Sequence, residues 1–250
     1  MATSTEGLEL AQLAFYSIAS IPAIYCFITH GKHGVIGWLY VFAMCGLRLV
    51  GNGMAYHALL TTGKPSTSAS IISGIGLSPL LLAALGILHE ANHSIQSALH
   101  AFLGPFGLLI PHMVIAGGIG LAAASGKNPH LLEIGLIIFA TGWLIVVGLV
   151  IISARANAHH RRVSDEKRLL LAVEIAMPLI GARVLYAIVI AFKYQNASGG
   201  SLAVKIIFGT VPEFLVMISY LSAGLITRNL ARDRVQKGSQ PTYNIAYSAV

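Results

Sequence analysis

The stretch His130-Leu131-Leu132-Glu133-Ile134-Gly135-Leu136-Ile137-Ile138-Phe139-Ala140-Thr141-Gly142-Trp143-Leu144-Ile145-Val146-Val147-Gly148-Leu149-Val150-Ile151-Ile152-Ser153 contains Glu133 as its one formally charged residue. A helix that crosses a bilayer needs about 20 predominantly apolar residues, so this run predicts a transmembrane helix. Working outward, six further stretches meet the same test, at 8–29, 34–60, 67–88, 97–124, 168–192 and 203–227. Short polar breaks separate several of them: Gly31-Lys32-His33-Gly34, Thr62-Gly63-Lys64-Pro65, Gly126-Lys127-Asn128-Pro129 and Ser198-Gly199-Gly200-Ser201. Gly and Pro in such places suit the conformations that end helices. The expected fold class is all-α: a polytopic membrane protein with seven transmembrane helices over 1–227 and a flexible cytosolic tail over 228–250.

Composition supports this reading. Of 250 residues, 56% are hydrophobic and 10% charged, with a mean hydropathy of +0.76. A soluble domain carries about a quarter charged residues, so an ordinary water-soluble fold is excluded. The first apolar stretch lacks a basic flank and a small-residue cleavage site, and Glu6 and Glu9 precede or open it, so a removable signal peptide is not expected. Lys32, Arg155, Arg161, Arg162, Lys167, Arg168, Arg228, Arg232, Arg234 and Lys237 fall on the side of the C-terminus, whereas the other side carries Lys64, Lys127, Lys193 and Lys205. The positive-inside bias then puts the C-terminus in the cytosol and the N-terminus in a lumen or outside. The net charge of +7 reflects topology and contact with anionic lipid, not nucleic acid. Cys26 and Cys45 both lie within predicted helices, so no loop disulfide is expected.

An internal echo links Gly46-Leu47-Arg48 in the second span to Gly181-Ala182-Arg183 in the sixth, with Pro79 and Pro212 following each at similar spacing. It reads either as a 3+1+3 parallel pseudo-repeat or as a chance match between Leu- and Gly-rich helices.

Ionisable side chains at bilayer depth cost about 2.5 to 3.5 kcal/mol even on insertion scales, so each needs a partner or a cavity. Four stand out: Arg48, Glu174, Arg183 and Glu213. Arg48, Asn52 and Tyr56 recur every four residues and make one polar stripe. Glu213 and Tyr220 share a helix face, and Tyr186 lies one turn beyond Arg183. Glu213 is expected to pair with Arg48 or Arg183. Glu174 has no arginine at its own depth, so it is expected to hold its proton, as a general acid requires. Structural ion pairs and a ligand-holding polar cavity both remain open for this set.

Seven of the ten histidines fall on the cytosolic side: His30, His33, His89, His93, His100, His159 and His160. His89-Glu90-Ala91-Asn92-His93 matches H-E-x-x-H, in which two imidazoles one turn apart bind zinc and the glutamate polarises a metal-bound water. His100 would be the third ligand. Asn92, Ser94, Gln96 and Ser97 argue that the helix stops before it, and no carboxylate ligand is identifiable. Alternatives are a metal-free site using Glu90 with His89 or His93, and plain interfacial polarity. No cofactor is expected, zinc being the alternative. The glycines Gly74, Gly76, Gly117, Gly118 and Gly120 lie in apolar helices and read as packing residues, not phosphate loops. Asn196-Ala197-Ser198 is a glycosylation sequon on the non-cytosolic side.

The runs Gly76-Leu77-Ser78-Pro79-Leu80-Leu81-Leu82 and Glu166-Lys167-Arg168-Leu169-Leu170-Leu171-Ala172-Val173, with Pro178, Arg183-Val184-Leu185-Tyr186 and Glu213-Phe214, resemble a fungal family of seven-helix integral membrane proteins of unknown function. The resemblance covers nearly the whole chain and implies a fungal source and seven helices. In overall shape the chain is also similar to fungal seven-helix receptor-like proteins and membrane-integral terpene cyclases. It departs from the family pattern at His89 and Glu90, where a serine and an arginine are usual, and at Glu174, where a small apolar residue is usual.

The reading that gathers these features is a membrane-embedded enzyme of an endomembrane such as the endoplasmic reticulum. It would act on a lipophilic, isoprenoid-type substrate by acid-initiated cyclisation or isomerisation in secondary metabolism. Glu90, Glu174, His89, His93 and Glu213 are its candidate catalytic residues, and Arg48, Asn52, Tyr56, Arg183, Tyr186 and Tyr220 its candidate substrate-binding residues. A receptor-like protein is the alternative. It lacks Asp-Arg-Tyr at the end of the third span, Asn-Pro-x-x-Tyr in the seventh and a lysine there for retinal. A transporter would carry clearer inverted repeats. The expected partners are the lipid bilayer and a lipophilic small molecule.

Overall fold

The computed structural model describes residues 2–63, 72, 77–95, 105–125, 128–160, 164–194 and 201–230. Among them all the regular structure is helical: α1 (Ala2–Thr29), α2 (Gly31–Thr62), α3 (Leu77–Ala91), α4 (Pro105–Ala123), α5 (Pro129–His160), α6 (Ser164–Tyr194) and α7 (Leu202–Ile226). Five of these, α1, α2, α5, α6 and α7, contain apolar lengths sufficient to cross a membrane, and α3 and α4 are shorter apolar helices. This is the architecture of a polytopic all-α membrane protein. The expected third and fourth spans are seen only in part, because residues 73–76 and 96–104 lie outside the described set, as do His100 and residues 231–250.

Helix ends differ from expectation where polar residues join the helix. α1 begins well before residue 8, and α6 begins at Ser164 with Asp165 and Glu166 in its first turn, where carboxylates complement the exposed amide groups. α5 runs on through Arg155 to His160. α2 ends at Gly63, whose φ of +64° suits a residue without Cβ.

α3 is buried along its whole length apart from half-buried His89, as expected of a helix that is apolar all round. α2, α4 and α6 pack about it, α1 packs on α2, α5 on α4 and α6, and α7 on α6 and α1. The outward faces stay apolar: Ile18, Ile21 and Ile28 are each at least 70% exposed. In water such a surface would aggregate, and in lipid it is matched.

Without a hydrophobic drive between helices in lipid, close approach depends on small residues. A Cβ on Gly86 of α3 would lie 2.4 Å from the Gly37 Cα of α2, so the two backbones touch. That crossing sets α2 directly over Glu90.

Candidate functional site

Among the described residues, Glu213 and Glu90 each anchor a buried polar centre that joins several helices. The first is built on Glu213 of α7. Tyr16 of α1 donates its hydroxyl to Glu213 Oε1, and Arg48 of α2 donates from Nη2 to Oε2. Arg183 Nε of α6 lies 3.6 Å from Oε2, an ion pair too long for a hydrogen bond. The Arg183 guanidinium sits over the Tyr186 ring, 5.7 Å from its centroid. Glu213 therefore meets both arginines rather than one of them, with Arg48 holding the direct bond.

Pro212 explains why Glu213 can face this way. It has no N–H and its ring crowds the carbonyl four residues back. Just before it, Lys205–Thr210 widens into a π turn, and Val211 N–H bonds to Ile206 O, five residues back. On a regular α-helix the eight-residue spacing would put Lys205 and Glu213 about 80° apart. The π turn absorbs one residue, so both face α1, where Glu9 and Tyr16 are spaced two turns apart. Lys205 Nζ pairs with Glu9 Oε1 at 3.2 Å, beside the Tyr16–Glu213 bond. The stack of Phe15 on Phe214, with centroids 3.9 Å apart, closes the same interface.

The second centre lies where α1 turns into α2. His30, between the two helices, sets Nδ1 2.8 Å from Glu90 Oε1 of α3 and Nε2 3.0 Å from the Gly224 carbonyl of α7. Trp38 Nε1 donates to Glu90 Oε2 at 3.0 Å. All three side chains are buried. Two glycines make this possible: a Cβ on Gly34 would lie 2.5 Å from Glu90 Oε2, and one on Gly224 would lie 2.2 Å from the Trp38 ring.

The hydrogen-bond geometry dictates the proton count. The Gly224 carbonyl can only accept, so His30 Nε2 carries a proton. A single proton then lies between Nδ1 and Oε1, on the ring or on the carboxyl, and the pair is neutral overall in both forms.

A site of Glu90 with His89 or His93 is one of the alternatives open in the sequence; the structure sets Glu90 between His30 and Trp38. α3 ends at Ala91, so His93 falls in a 3-10 turn (His93–Ile95), where its ring packs on His33 with centroids 4.0 Å apart. His89 is half-buried. Among the described residues no group of three or more His, Cys, Asp or Glu side chains is arranged to hold a metal ion, and His100 lies outside them. Nearby, Ser153 donates to Asn92 Oδ1 at 2.5 Å and Ser94 donates to Glu166, tying the end of α3 to α5 and α6.

The other candidate residues fall into three environments. Asn52 is buried one turn beyond Arg48, its Nδ2 without a hydrogen-bond partner among the described residues. Tyr220 is buried two turns beyond Glu213, its hydroxyl likewise unpartnered there, and Tyr56 is half-buried. Glu174 is half-buried on α6 and stands apart from both centres, with no hydrogen-bond or ionic partner among the described residues. Two turns along its face, Trp143 of α5 packs against Gly181 and donates its indole N–H to Met177 O at 3.1 Å.

Sequence reasoning missed Tyr16 and Trp38 as partners of the two carboxyls. The signal was available: a Tyr or Trp inside an apolar span has one polar atom that must find a partner.

The model of a domain of unknown function (DUF7702) matches residues 2–230. No curated protein and no solved structure matches. With most of its length covered, the chain belongs to the DUF7702 family of unknown function.

Proposed function

We propose that this chain is a membrane-embedded enzyme that protonates a lipophilic, isoprenoid-type substrate and thereby isomerises or cyclises it. Glu174 is the acid in this reading, whereas Glu90 and Glu213 hold the bundle together. The observation that carries it is the contrast among the three carboxyls. Glu90 and Glu213 each have both oxygens in hydrogen bonds to buried side chains, but Glu174 is half-buried with no partner among the described residues. An acid must have a proton to give and room beside it for the acceptor.

The reaction balances without a co-reactant. Glu174 gives its proton to an alkene carbon or an epoxide oxygen, and the resulting carbocation later loses a proton from a neighbouring carbon, which restores the carboxyl. In this reading the Trp143 ring, held by its bond to Met177 O, would stabilise positive charge farther along α6. The apolar outer surface supports entry of substrate from the lipid. The asymmetry of Lys and Arg supports a cytosolic C-terminus, and the sequence resemblance supports a fungal endomembrane protein.

The test is expression in yeast with prenylated and epoxidised precursors supplied. Product should form with the wild type and with Glu90→Gln, and be lost in Glu174→Gln with the protein still folded. Product that persists in Glu174→Gln rejects the reading.

A further inference from the structure

Two half-buried polar side chains of different helices stand together away from both carboxyl centres, with hydrogen-bonding capacity unused. Tyr40 of α2 and His112 of α4 have ring centroids 5.8 Å apart. His112 sets Nδ1 3.0 Å from the Leu108 carbonyl, one turn back on its own helix. A carbonyl can only accept, so Nδ1 carries a proton, and the uncharged ring then presents the lone pair of Nε2. Nε2 has no hydrogen-bond partner among the described residues, and neither has the Tyr40 hydroxyl. A donor and an acceptor thus lie side by side without bonding to each other.

Both groups border lipid. Ile36, one turn before Tyr40, and Leu109 and Met113, beside His112, are each more than half exposed. α2 has 32 residues and is about 48 Å long, against a hydrocarbon layer of about 30 Å. With the excess shared between its ends, Tyr40 lies about 14 Å along α2 from Gly31 and about 5 Å inside that layer. Water is scarce at this depth, so an unmet donor and an unmet acceptor are costly. It is also the level of a polar group that anchors an amphiphile near the interface, with its tail in the lipid.

We propose that Tyr40 and His112 bind the hydroxyl of a lipid alcohol, a sterol or a prenyl alcohol. The alcohol O–H donates to His112 Nε2 while its oxygen accepts from the Tyr40 O–H, so one group satisfies both side chains. At a centroid separation of 5.8 Å, a single oxygen can reach both. An ammonium cannot accept and a carboxylate cannot donate. The site belongs to α2 and α4, whereas Glu174 is on α6, and it stands whether or not Glu174 is an acid.

The test uses the full chain in phosphatidylcholine nanodiscs, with tritiated cholesterol and farnesol as probes, each beside its methyl ether, which can accept but not donate. The wild type should bind at least one alcohol saturably and the matching ether about ten-fold or more weakly, because Nε2 is then left unmet. Cholesterol alone identifies a sterol site, farnesol alone a prenyl-alcohol site, and both together a hydroxyl recognised without regard to its tail. Tyr40→Phe should keep the wild-type Tm and weaken alcohol and ether alike by about ten-fold. His112→Leu should bind the two equally, and Glu174→Gln should bind as the wild type does. Where His112→Leu fails to fold, the wild type and Tyr40→Phe decide. No saturable binding of either alcohol, an ether bound as tightly as its alcohol by the wild type, alcohol binding unchanged in Tyr40→Phe, or alcohol binding lost in Glu174→Gln overturns the proposal.

Discussion

His30 and Glu90 share one proton: the imidazole sets Nδ1 2.8 Å from the carboxyl while its Nε2 is held 3.0 Å from the Gly224 carbonyl. Three helices and the corner between α1 and α2 meet at that contact. Its most direct consequence concerns amide replacement. Glu90→Gln keeps an acceptor for Trp38 and offers an NH2 group to a neutral His30, so thermal unfolding in detergent should show a loss below about 1.5 kcal/mol. Glu90→Ala leaves the imidazole and the indole N–H without partners and should cost about 3 to 5 kcal/mol. Equal losses in the two variants would show that the pair is held by formal charge and not by a shared proton.

The Glu213 centre should respond unequally to removal of its two arginines. Arg48 holds the direct bond and Arg183 only the 3.6 Å ion pair. Arg48→Met should therefore cost about 3 to 5 kcal/mol, the range for breaking a buried pair, and Arg183→Met clearly less. The check is the Tm of each variant and of the double variant. A larger loss for Arg183→Met would reverse the assigned order.

Glycine substitutions separate backbone contact from open space. Gly86→Ala drives a methyl into the Gly37 backbone at 2.4 Å, and no flexible side chain can yield there. It should destabilise by about 1 to 3 kcal/mol or more. Gly46→Ala meets nothing within 4 Å and should be neutral or gain up to about 1 kcal/mol from helix propensity. Comparable losses at both positions would rule out the close α2–α3 crossing as the cause.

The π turn of α7 predicts a register effect. Pro212→Ala restores an N–H and removes the clash that favours the widened turn. A return to regular α-helix would rotate Lys205 away from Glu9. With both replaced by cysteine, Glu9→Cys and Lys205→Cys lie too far apart for a disulfide but should be bridged efficiently by a short bifunctional thiol reagent with Pro212 present, and at least several-fold less with Pro212→Ala. Unchanged cross-linking would mean that packing, not proline, holds the turn open.

Orientation is testable without a structure. A reporter that is active only in the cytosol, fused after Val250, should be active, and one fused before Met1 should be silent, as the proposed orientation predicts from the excess of Lys and Arg on the C-terminal side. Activity at the N-terminal fusion would invert the topology.

The apolar runs, the Gly and Pro breaks and the near absence of charge decide by themselves that this chain is a helical membrane protein. A spanning helix satisfies its own backbone, so its length and composition are local properties that can be read without knowing any neighbour. The same locality made Arg48, Arg183 and Glu213 stand out, because a charge in an apolar run is unusual wherever the helix packs. Partner choice is not local. His89-Glu90-Ala91-Asn92-His93 suggested that Glu90 works with the histidines beside it, but it bonds to His30 and Trp38, 60 and 52 residues away. Only the α2–α3 crossing through Gly37 and Gly86 brings those groups together, and only the extra residue of the π turn puts Lys205 and Glu213 on one face. Helix spacing along a chain defines faces. Which faces meet depends on how closely two backbones can approach, and that is settled when the whole bundle packs.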